Sequence, residues 1–267
     1  MLENLLSSIK IRNMELHNRC IVPPMGTNLG NPDGTVSEKN LAYMKRRAES
    51  GVGLIITEIM GVHPSGCVGL GIYDDRFIPG LKQLVDIIHD AGSKAALQLH
   101  HAGREAAFQL EEGEAIGPSA LPSFVYGIPP KEMSLDDIQE IIRSFGDGAV
   151  RAQAAGADAV EIHGAHGYLI AQFLSVHANQ RTDEYGGSFA NRARFMIEVV
   201  AEVRKRVGED YPILMRLSAE EFIKHGYQVE DIVGILPDLV AAGTDVIHAS
   251  IGTHGSPGGI TSAPAEY

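Results

Sequence analysis

One pattern of apolar and polar positions recurs along the chain. A segment with helical spacing ends at a glycine, and a short run of aliphatic residues follows it. The separating glycines are Gly51, Gly92, Gly156, Gly208 and Gly243. Glycine just after a helix readily takes the left-handed conformation that other residues resist, so each of them predicts a helix end. The aliphatic runs predict strands that are buried on both faces.

The pattern predicts six strands that alternate with five helices. The expected strands are residues 21–25, 54–57, 95–99, 159–162, 213–217 and 246–249. The expected helices are about residues 37–50, 79–91, 135–155, 191–207 and 229–242. The sequence Ser134-Leu-Asp-Asp137 resembles a capping box and supports the start of the third helix. Alternating strands and helices predict an α/β protein with a parallel sheet.

A closed TIM barrel is favoured over an open doubly wound sheet. No strand is followed by GxGxxG and no GxxxxGK[ST] occurs, so both nucleotide-binding fingerprints of the open sheets are lacking. A (β/α)8 barrel needs eight strands, yet only residues 251–267 follow the sixth, and one crossover takes about a dozen residues. We therefore expect residues 1–267 to form a single barrel domain that is truncated after about six βα units.

Composition narrows the class of partner. The net charge of −12 argues against nucleic acid and anionic membranes, since both favour clustered Lys and Arg. No apolar run approaches about 18 residues, and the N-terminus lacks the layout of a signal peptide. Cys20 and Cys67 are far apart with no CxxC, which indicates reduced thiols in the cytoplasm.

The strongest chemical signal is the segment 161–169, which contains His163, His166 and Tyr168 at the end of the fourth strand. In a parallel barrel that end is where chemistry occurs. The two imidazoles can present N–H donors to one substrate oxygen, and the phenol offers a proton beside them. Capping or packing roles are the structural alternative. Zinc is another, but it usually needs more ligands, and no HExxH or CxxC is present, so no metal is expected.

Three further side chains are unusual where they occur. Gln98 lies in a buried run and needs a partner, which is either a planar heterocycle or only backbone. Arg216 lies in an apolar strand, where it either forms a salt bridge with Glu58 or Glu161 or supports a ring that becomes negatively charged. His254 follows the sixth strand and is either a loop residue or a second proton-handling group.

Together these segments resemble the Old Yellow Enzyme family of NAD(P)H:flavin oxidoreductases. Within it, the chain is most similar to the branch of 2-enoate and 2,4-dienoyl-CoA reductases. The resemblance covers about residues 5–265. It depends on residues 18–19, 24–27, 53–58, 98–104, 161–168, 181–192 and 215–217.

The resemblance implies a TIM barrel that binds FMN. The flavin-binding positions it implies are Pro24, Met25, Gly26, Glu58, Gln98 and Arg216. The first three would contact the isoalloxazine, and Gln98 would hydrogen-bond its pyrimidine side. Arg216 would lie near the N1–C2=O edge, where a cation stabilises the anionic reduced flavin.

It also implies an ene-reductase. His163 and His166 would hold the carbonyl oxygen of an unsaturated ketone, enoate or enoyl-CoA, whose β-carbon accepts hydride from flavin N5. Tyr168, with a reference pKa of about 10, would protonate the α-carbon. His254 stands where dienoyl-CoA reductases carry a proton-donating histidine, so the proton donor is left open between His254 and Tyr168. NADH or NADPH would be the reductant.

The resemblance leaves the cofactor's phosphate without an expected site. In the family this phosphate binds the loops after strands seven and eight. An iron–sulfur cluster and FAD are expected only in a longer parent protein. Two other interpretations stay open. One is a non-catalytic partial barrel that acts with a partner chain or as a homo-oligomer through its open edges. The other is a flavin-free lyase or isomerase.

Overall fold

A curved parallel sheet forms the centre of the molecule, as seen in a computed structural model that describes residues 2–108 and 115–256. Its strands lie in the order β6-β5-β4-β3-β2-β1. They are β1 (Ile21–Val22), β2 (Leu54–Gly61), β3 (Lys94–His100), β4 (Ala159–Gly164), β5 (Ile213–Ser218) and β6 (Val246–Ser250). A short strand, Leu70–Gly71, pairs with the end of β2.

Five long helices alternate with these strands. They are α1 (Glu38–Ala48), α2 (Ile78–Asp90), α3 (Leu135–Ala154), α4 (Phe189–Val207) and α5 (Val229–Ala242). The five separating glycines all have positive φ, from 75° at Gly51 to 120° at Gly243. The capping box at the start of α3 is also present, since Ser134 and Asp137 exchange side-chain and backbone hydrogen bonds. The predicted strands, helices and helix ends are therefore confirmed.

The strand bounds differ from the expectation in two places. β1 ends at Val22 rather than at residue 25, because Pro23 and Pro24 have no N–H with which to continue the ladder. β2 continues past Thr57 to Gly61, and its register with β3 shifts between Ile56 and Ile59.

Several short elements were not predicted. They are the helices Leu2–Leu6 and Leu169–Leu174, the hairpin Ile9–Ile11 with Met14–Leu16, the pair Ile116–Gly117 with Lys131–Glu132, and the 3₁₀ turns Pro64–Gly66, Asp75–Phe77 and Gly103–Phe108. Each is too short for a periodic pattern to repeat, so the sequence carries little signal for them.

The two faces of the sheet bury different clusters. The convex face packs beneath the helices and includes Ile55, Leu97, Val160, Ile162 and Met215. The concave face begins, at the amino ends of the strands, with a small apolar layer of Leu54, Ile56, Ala96, Ala159 and Leu214. Met14 and Leu16 of the hairpin close this layer from below. The hairpin therefore covers the amino end of the sheet.

Within the described residues, the outer strands β1 and β6 do not pair with each other. A cleft of about 500 Å³ lies beside them near the hairpin, lined in part by Leu16, Ile21 and Val246. Residues 257–267, on which the expectation of a truncated barrel depends, lie outside the described residues. Among the helices that are described, none is both long and apolar enough to cross a membrane.

Candidate active site

Above the apolar layer, the concave face becomes polar toward the carboxyl ends of the strands. Each of β3, β4, β5 and β6 carries two polar residues two positions apart, and such residues point to the same face. The pairs are Gln98 and His100, Glu161 and His163, Arg216 and Ser218, and His248 and Ser250. The register sets Gln98 beside Glu161, and Arg216 between His163 and His248. One continuous polar surface results.

His163 ends β4 with a fixed ring orientation. The backbone N–H of Ala165 donates to its Nδ1 at 3.2 Å. A backbone N–H only donates, so the neutral ring carries its proton on Nε2. Burial lowers the pKa of His163 well below its usual value, and the neighbouring His100, His166 and Arg216 lower it further. His163 therefore offers an Nε2–H donor that no described residue occupies.

His166 lies in the loop after β4 and has a φ of 64°. Its backbone N–H donates to Ser218 Oγ at 2.9 Å, and its ring Nε2 lies 2.7 Å from Ser250 Oγ. Burial, reinforced by the charge of Arg216, lowers the pKa of His166 to about 3. The ring centroids of His166 and His163 are 5.1 Å apart, with their planes at 88°. Two neutral imidazoles thus stand nearly perpendicular to each other.

The loop after β4 approaches the loop after β6 very closely. His166 pairs with Thr253 as an isolated parallel bridge. Gly167 has a φ of 81°, and a Cβ added there would lie 2.1 Å from Thr253 Oγ1. Only glycine fits, since any side chain would both strain the backbone and force the loops apart. This contact brings His166 and His254 to the same site.

Tyr168 is surrounded by imidazole rings. Its ring centroid lies 4.4 Å from that of His100, 5.1 Å from that of His163 and 4.9 Å from that of His254. Burial, together with the charge of Glu105, raises the pKa of Tyr168 to about 12. Tyr168 therefore keeps its proton at neutral pH. Beside it, His254 Nδ1 is buried without a hydrogen-bond partner among the described residues.

Gln98 is held by a side-chain network and not by backbone acceptors. Its Nε2 donates to Glu161 Oε1 at 2.7 Å, and His248 Nδ1 lies 2.7 Å from Glu161 Oε2. A carboxylate accepts and does not donate, so the amide nitrogen faces Glu161 and the amide oxygen faces away from it. Gln98 Oε1 is buried with no partner among the described residues. It is an acceptor ready for a ligand N–H.

Arg216 makes no ion pair with Glu58 or Glu161 within the described part of the chain, so the salt-bridge interpretation is wrong. Its Nε is buried without a hydrogen-bond partner. Burial lowers the pKa of Arg216, and the charge of Glu161 on the neighbouring strand opposes this effect. A half-buried cation with a buried N–H that lacks a protein partner fits a site that receives an electron-rich group.

Glu58 serves the loop that follows β1. Its carboxylate accepts hydrogen bonds from Thr27 Oγ1 at 2.6 Å, Thr27 N at 3.2 Å and Asn40 Nδ2 at 2.8 Å. Glu58 is itself 2% exposed. Three protein donors already occupy its carboxylate, so Glu58 fixes the loop and has little capacity left for a ligand.

The loop fixed by Glu58 contains Pro24, Met25 and Gly26. Pro24 is buried and Met25 is 58% exposed. A Cβ added to Gly26 would meet nothing within 4 Å, so open space lies beside its backbone. No hydrogen bond joins this loop to the His163–Tyr168 cluster among the described residues. The loop is therefore available as a separate wall for a flat ligand.

Sequence reasoning missed His100, Ser218 and Ser250 as members of the site. His100 is fully buried, both of its ring nitrogens lack partners among the described residues, and burial lowers its pKa to about 3. The signal that could have found all three is the pairing of polar residues two apart at the ends of apolar strands. Within the described residues, no three His, Cys, Asp or Glu side chains are grouped as metal ligands.

Fold and site together define a parallel α/β barrel-type protein with a polar, imidazole-rich mouth. The pattern of the NADH:flavin oxidoreductase / NADH oxidase family matches residues 4–258. The NADH oxidase of Thermoanaerobacter brockii is 43% identical over 258 residues, which are 95% of this chain and 40% of that protein. The NADPH dehydrogenase of Clostridium acetobutylicum is 42% identical over 250 residues, 91% of this chain and 72% of that protein.

Among solved structures, 2-naphthoyl-CoA reductase in complex with 2-naphthoyl-CoA superimposes with a TM-score of 0.93 at 33% identity. The match covers 100% of this chain and 44% of that one. The chain therefore spans less than half the length of two of these relatives. It belongs to the NADH:flavin oxidoreductase / NADH oxidase family, whose cofactors are FMN and NADH or NADPH. The predicted family, barrel fold and cofactors are confirmed.

Proposed function

We propose that this chain forms the catalytic barrel portion of an ene-reductase that reduces the C=C bond of an α,β-unsaturated carbonyl compound. The observation that carries the proposal is the position of Tyr168, whose ring contacts the neutral ring of His163 and the ring of His254 at one mouth. A donor pair and a protonated phenol are the groups that this reaction requires.

Gln98 and Arg216 are the residues that would hold the pyrimidine edge of FMN. That edge carries both N–H and C=O groups, and the buried amide oxygen and guanidinium supply an acceptor and a donor for them. Met25 and Gly26 would lie against the flat ring system. When bound and reduced by NADH or NADPH, FMN supplies the hydride that reaches the β-carbon. Glu58 would act on the cofactor through this loop, since Thr27 donates to its carboxylate.

His163 and His166 would bind the carbonyl oxygen. Both rings are neutral, so each acts through one N–H, and the polarised carbonyl draws electron density from the β-carbon. Tyr168 would deliver the proton to the α-carbon, since its raised pKa keeps the hydroxyl protonated. His254 contacts the same ring and is the alternative donor.

The substrate class that we propose is an enone, enoate or enoyl-CoA. The relative bound to 2-naphthoyl-CoA supports a conjugated acyl-CoA as one member of this class. Two cysteines that are both free fit a reducing compartment, so we also propose a cytoplasmic location. Assembly as a homo-oligomer stays a prediction.

A partial barrel that works only with a partner chain is the second candidate. It is favoured by the outer strands β1 and β6, which do not pair with each other in the described residues.

The test is reconstitution of the purified chain with FMN, followed by separate measurements of flavin reduction by NADPH and of cyclohexenone reduction. We expect Tyr168→Phe to bind FMN and to be reduced normally, but to reduce the alkene about 10²- to 10⁴-fold more slowly. The matched control is Tyr43→Phe, whose ring stacks on Arg47 far along α1. Equal rates for Tyr168→Phe and the native chain would refute the proton-donor role. Failure to bind FMN would favour the second candidate.

A further inference from the structure

We propose that Ser250 sets the ring proton of His166 on Nδ1, and that it thereby makes His166 a hydrogen-bond donor to the substrate oxygen. Ser250 is then a positioning residue that acts through His166. The inference deepens the proposed function and rests on it for the identity of the bound oxygen.

The position of this proton matters because His166 is neutral. Its pKa is lowered to about 3 by burial and by the charges of Arg216, His254 and His248. A neutral imidazole has one N–H and one lone pair. With the proton on Nε2, the Nδ1 atom would present a lone pair and repel a carbonyl oxygen. With the proton on Nδ1, the same atom donates to that oxygen.

The hydrogen bonds around His166 leave one acceptor for the hydroxyl proton of Ser250. Among the described residues, the only hydrogen bond of Ser250 Oγ is the 2.7 Å contact with His166 Nε2. If Nε2 donated in this contact, the Ser250 proton would have no protein acceptor, which is unfavourable at a partly buried site. If Ser250 donates, both groups are satisfied and His166 carries its proton on Nδ1.

Ser218, the neighbour of Ser250 in the strand register, shows why the two serines differ. Ser218 Oγ accepts from the backbone N–H of His166 and donates to the carbonyl of Gly252 at 2.7 Å. Ser218 therefore fixes the main chain of His166 and makes no hydrogen bond to its ring. Among the described residues, the Ser250 hydroxyl hydrogen-bonds only to the ring. The two serines provide a matched pair on adjacent strands.

His163 has the opposite tautomer, fixed by the Ala165 N–H, which donates to Nδ1 and leaves the proton on Nε2. The two rings thus donate from different atoms, in planes 88° apart. A carbonyl oxygen accepts two hydrogen bonds along separate lone-pair directions. Donors that come from perpendicular rings suit this requirement better than two rings with the same tautomer and orientation.

The experiment is two-bond ¹H–¹⁵N NMR of the FMN-free chain labelled with ¹⁵N-histidine at neutral pH. The His166 signals are assigned by their loss in His166→Gln. We expect a protonated Nδ1 in the native chain and in Ser218→Ala, and a shift of the proton toward Nε2 in Ser250→Ala. Ser250→Thr, which keeps the hydroxyl, should restore the native spectrum. A native His166 protonated on Nε2, or an unchanged tautomer in Ser250→Ala, would overturn the inference.

A second measurement separates this inference from the proposed function. In the FMN-loaded chain, Ser250→Ala should raise the KM for cyclohexenone about 10-fold, because one substrate hydrogen bond is lost, and Ser250→Thr should restore the native KM. If the native tautomer is found but the native chain reduces no enone, the proposed function fails and the tautomer assignment stands. If enones are reduced but the tautomer does not respond to Ser250→Ala, the inference alone fails.

Discussion

The lower and upper halves of the concave face are built on the same strands but follow opposite rules. In the lower half, Leu54, Ile56 and Leu214 pack together against the hairpin as a purely apolar layer. In the upper half, Gln98 is as deeply enclosed and Arg216 is half-buried, yet each keeps a buried polar atom without a partner in the described part of the chain.

The difference separates stability from function within a few residues. Apolar packing stabilises the fold wherever it occurs. An unpartnered buried donor, acceptor or charge costs free energy and persists only where another requirement retains it. The change from one half to the other takes only two residues on β5, where Leu214 belongs to the lower half and Arg216 to the upper half.

We expect the largest difference in the free energy of unfolding between the variants Leu214→Ala and Arg216→Met. Leu214→Ala leaves a cavity in the lower layer and should lower the free energy of unfolding by about 2–5 kcal/mol. Arg216→Met removes a half-buried guanidinium whose Nε has no protein partner among the described residues, and it should leave that free energy unchanged or raise it by about 1 kcal/mol, while weakening FMN binding. Urea unfolding of the FMN-free chain measures both changes. Similar losses in the two variants would mean that the halves do not differ in this way.

The second prediction concerns the free energy of unfolding in acid. The buried histidines of the upper half should lower it, each by less than the effect of Leu214→Ala. Burial lowers the pKa of His100 and His166 to about 3. The unfolded chain has histidine pKa values of about 6.5, so below that pH it binds more protons than the folded chain does. Stability should therefore fall as the pH falls from about 6.5 toward about 3, by up to about 1.4 kcal/mol per pH unit for each such histidine.

Urea midpoints between about pH 7.5 and about pH 5 test this dependence. The variant His100→Leu removes one of these groups while keeping an apolar side chain against Tyr168, so its stability should fall less steeply with acidity. A slope equal to that of the native chain would show that His100 does not stay neutral in the folded protein.

We expect the smallest change in the free energy of unfolding at the start of α3, which lies in neither half of the concave face. Ser134→Ala removes the cap of α3, in which Ser134 Oγ accepts from Asp137 N at 3.1 Å. We expect a loss of about 1 kcal/mol in the free energy of unfolding and no change in FMN binding. Urea unfolding and a flavin titration measure the two quantities. A loss well above that of Leu214→Ala would contradict the ranking.

Much of the fold could be predicted from local patterns. The helix ends at Gly51 and Gly243 and the cap at Ser134 are decided by neighbouring residues, so a linear reading finds them. The early end of β1 also has a local cause in Pro23, although we did not predict it. The position of the hairpin formed by Ile9–Ile11 and Met14–Leu16 has no local cause. It depends on an apolar layer made by strands that are distant in the chain.

The candidate site also contains residues that the sequence could predict and residues that it could not. Resemblance and residue type pointed to His163, His166, Tyr168 and Arg216. The surroundings of Arg216 could not be predicted, because residue type allowed either a salt bridge with Glu58 or Glu161 or a role toward a ring. Both carboxylates are occupied by other donors. The roles of Ser218 and Ser250 depend on strand register, which joins residues that are far apart in sequence.

The sequence by itself determined the alternation of strands and helices, the residue types at the strand ends and the family. The physical reason is that propensity, capping and alternation act over a few residues. Only the tertiary structure decided which polar atoms find partners. Glu161 binds Gln98, Ser250 lies against the His166 ring, and Arg216 is left free of protein partners among the described residues. Hydrogen bonds depend on distances of a few tenths of an ångström between strands, and those distances exist only after the sheet has formed.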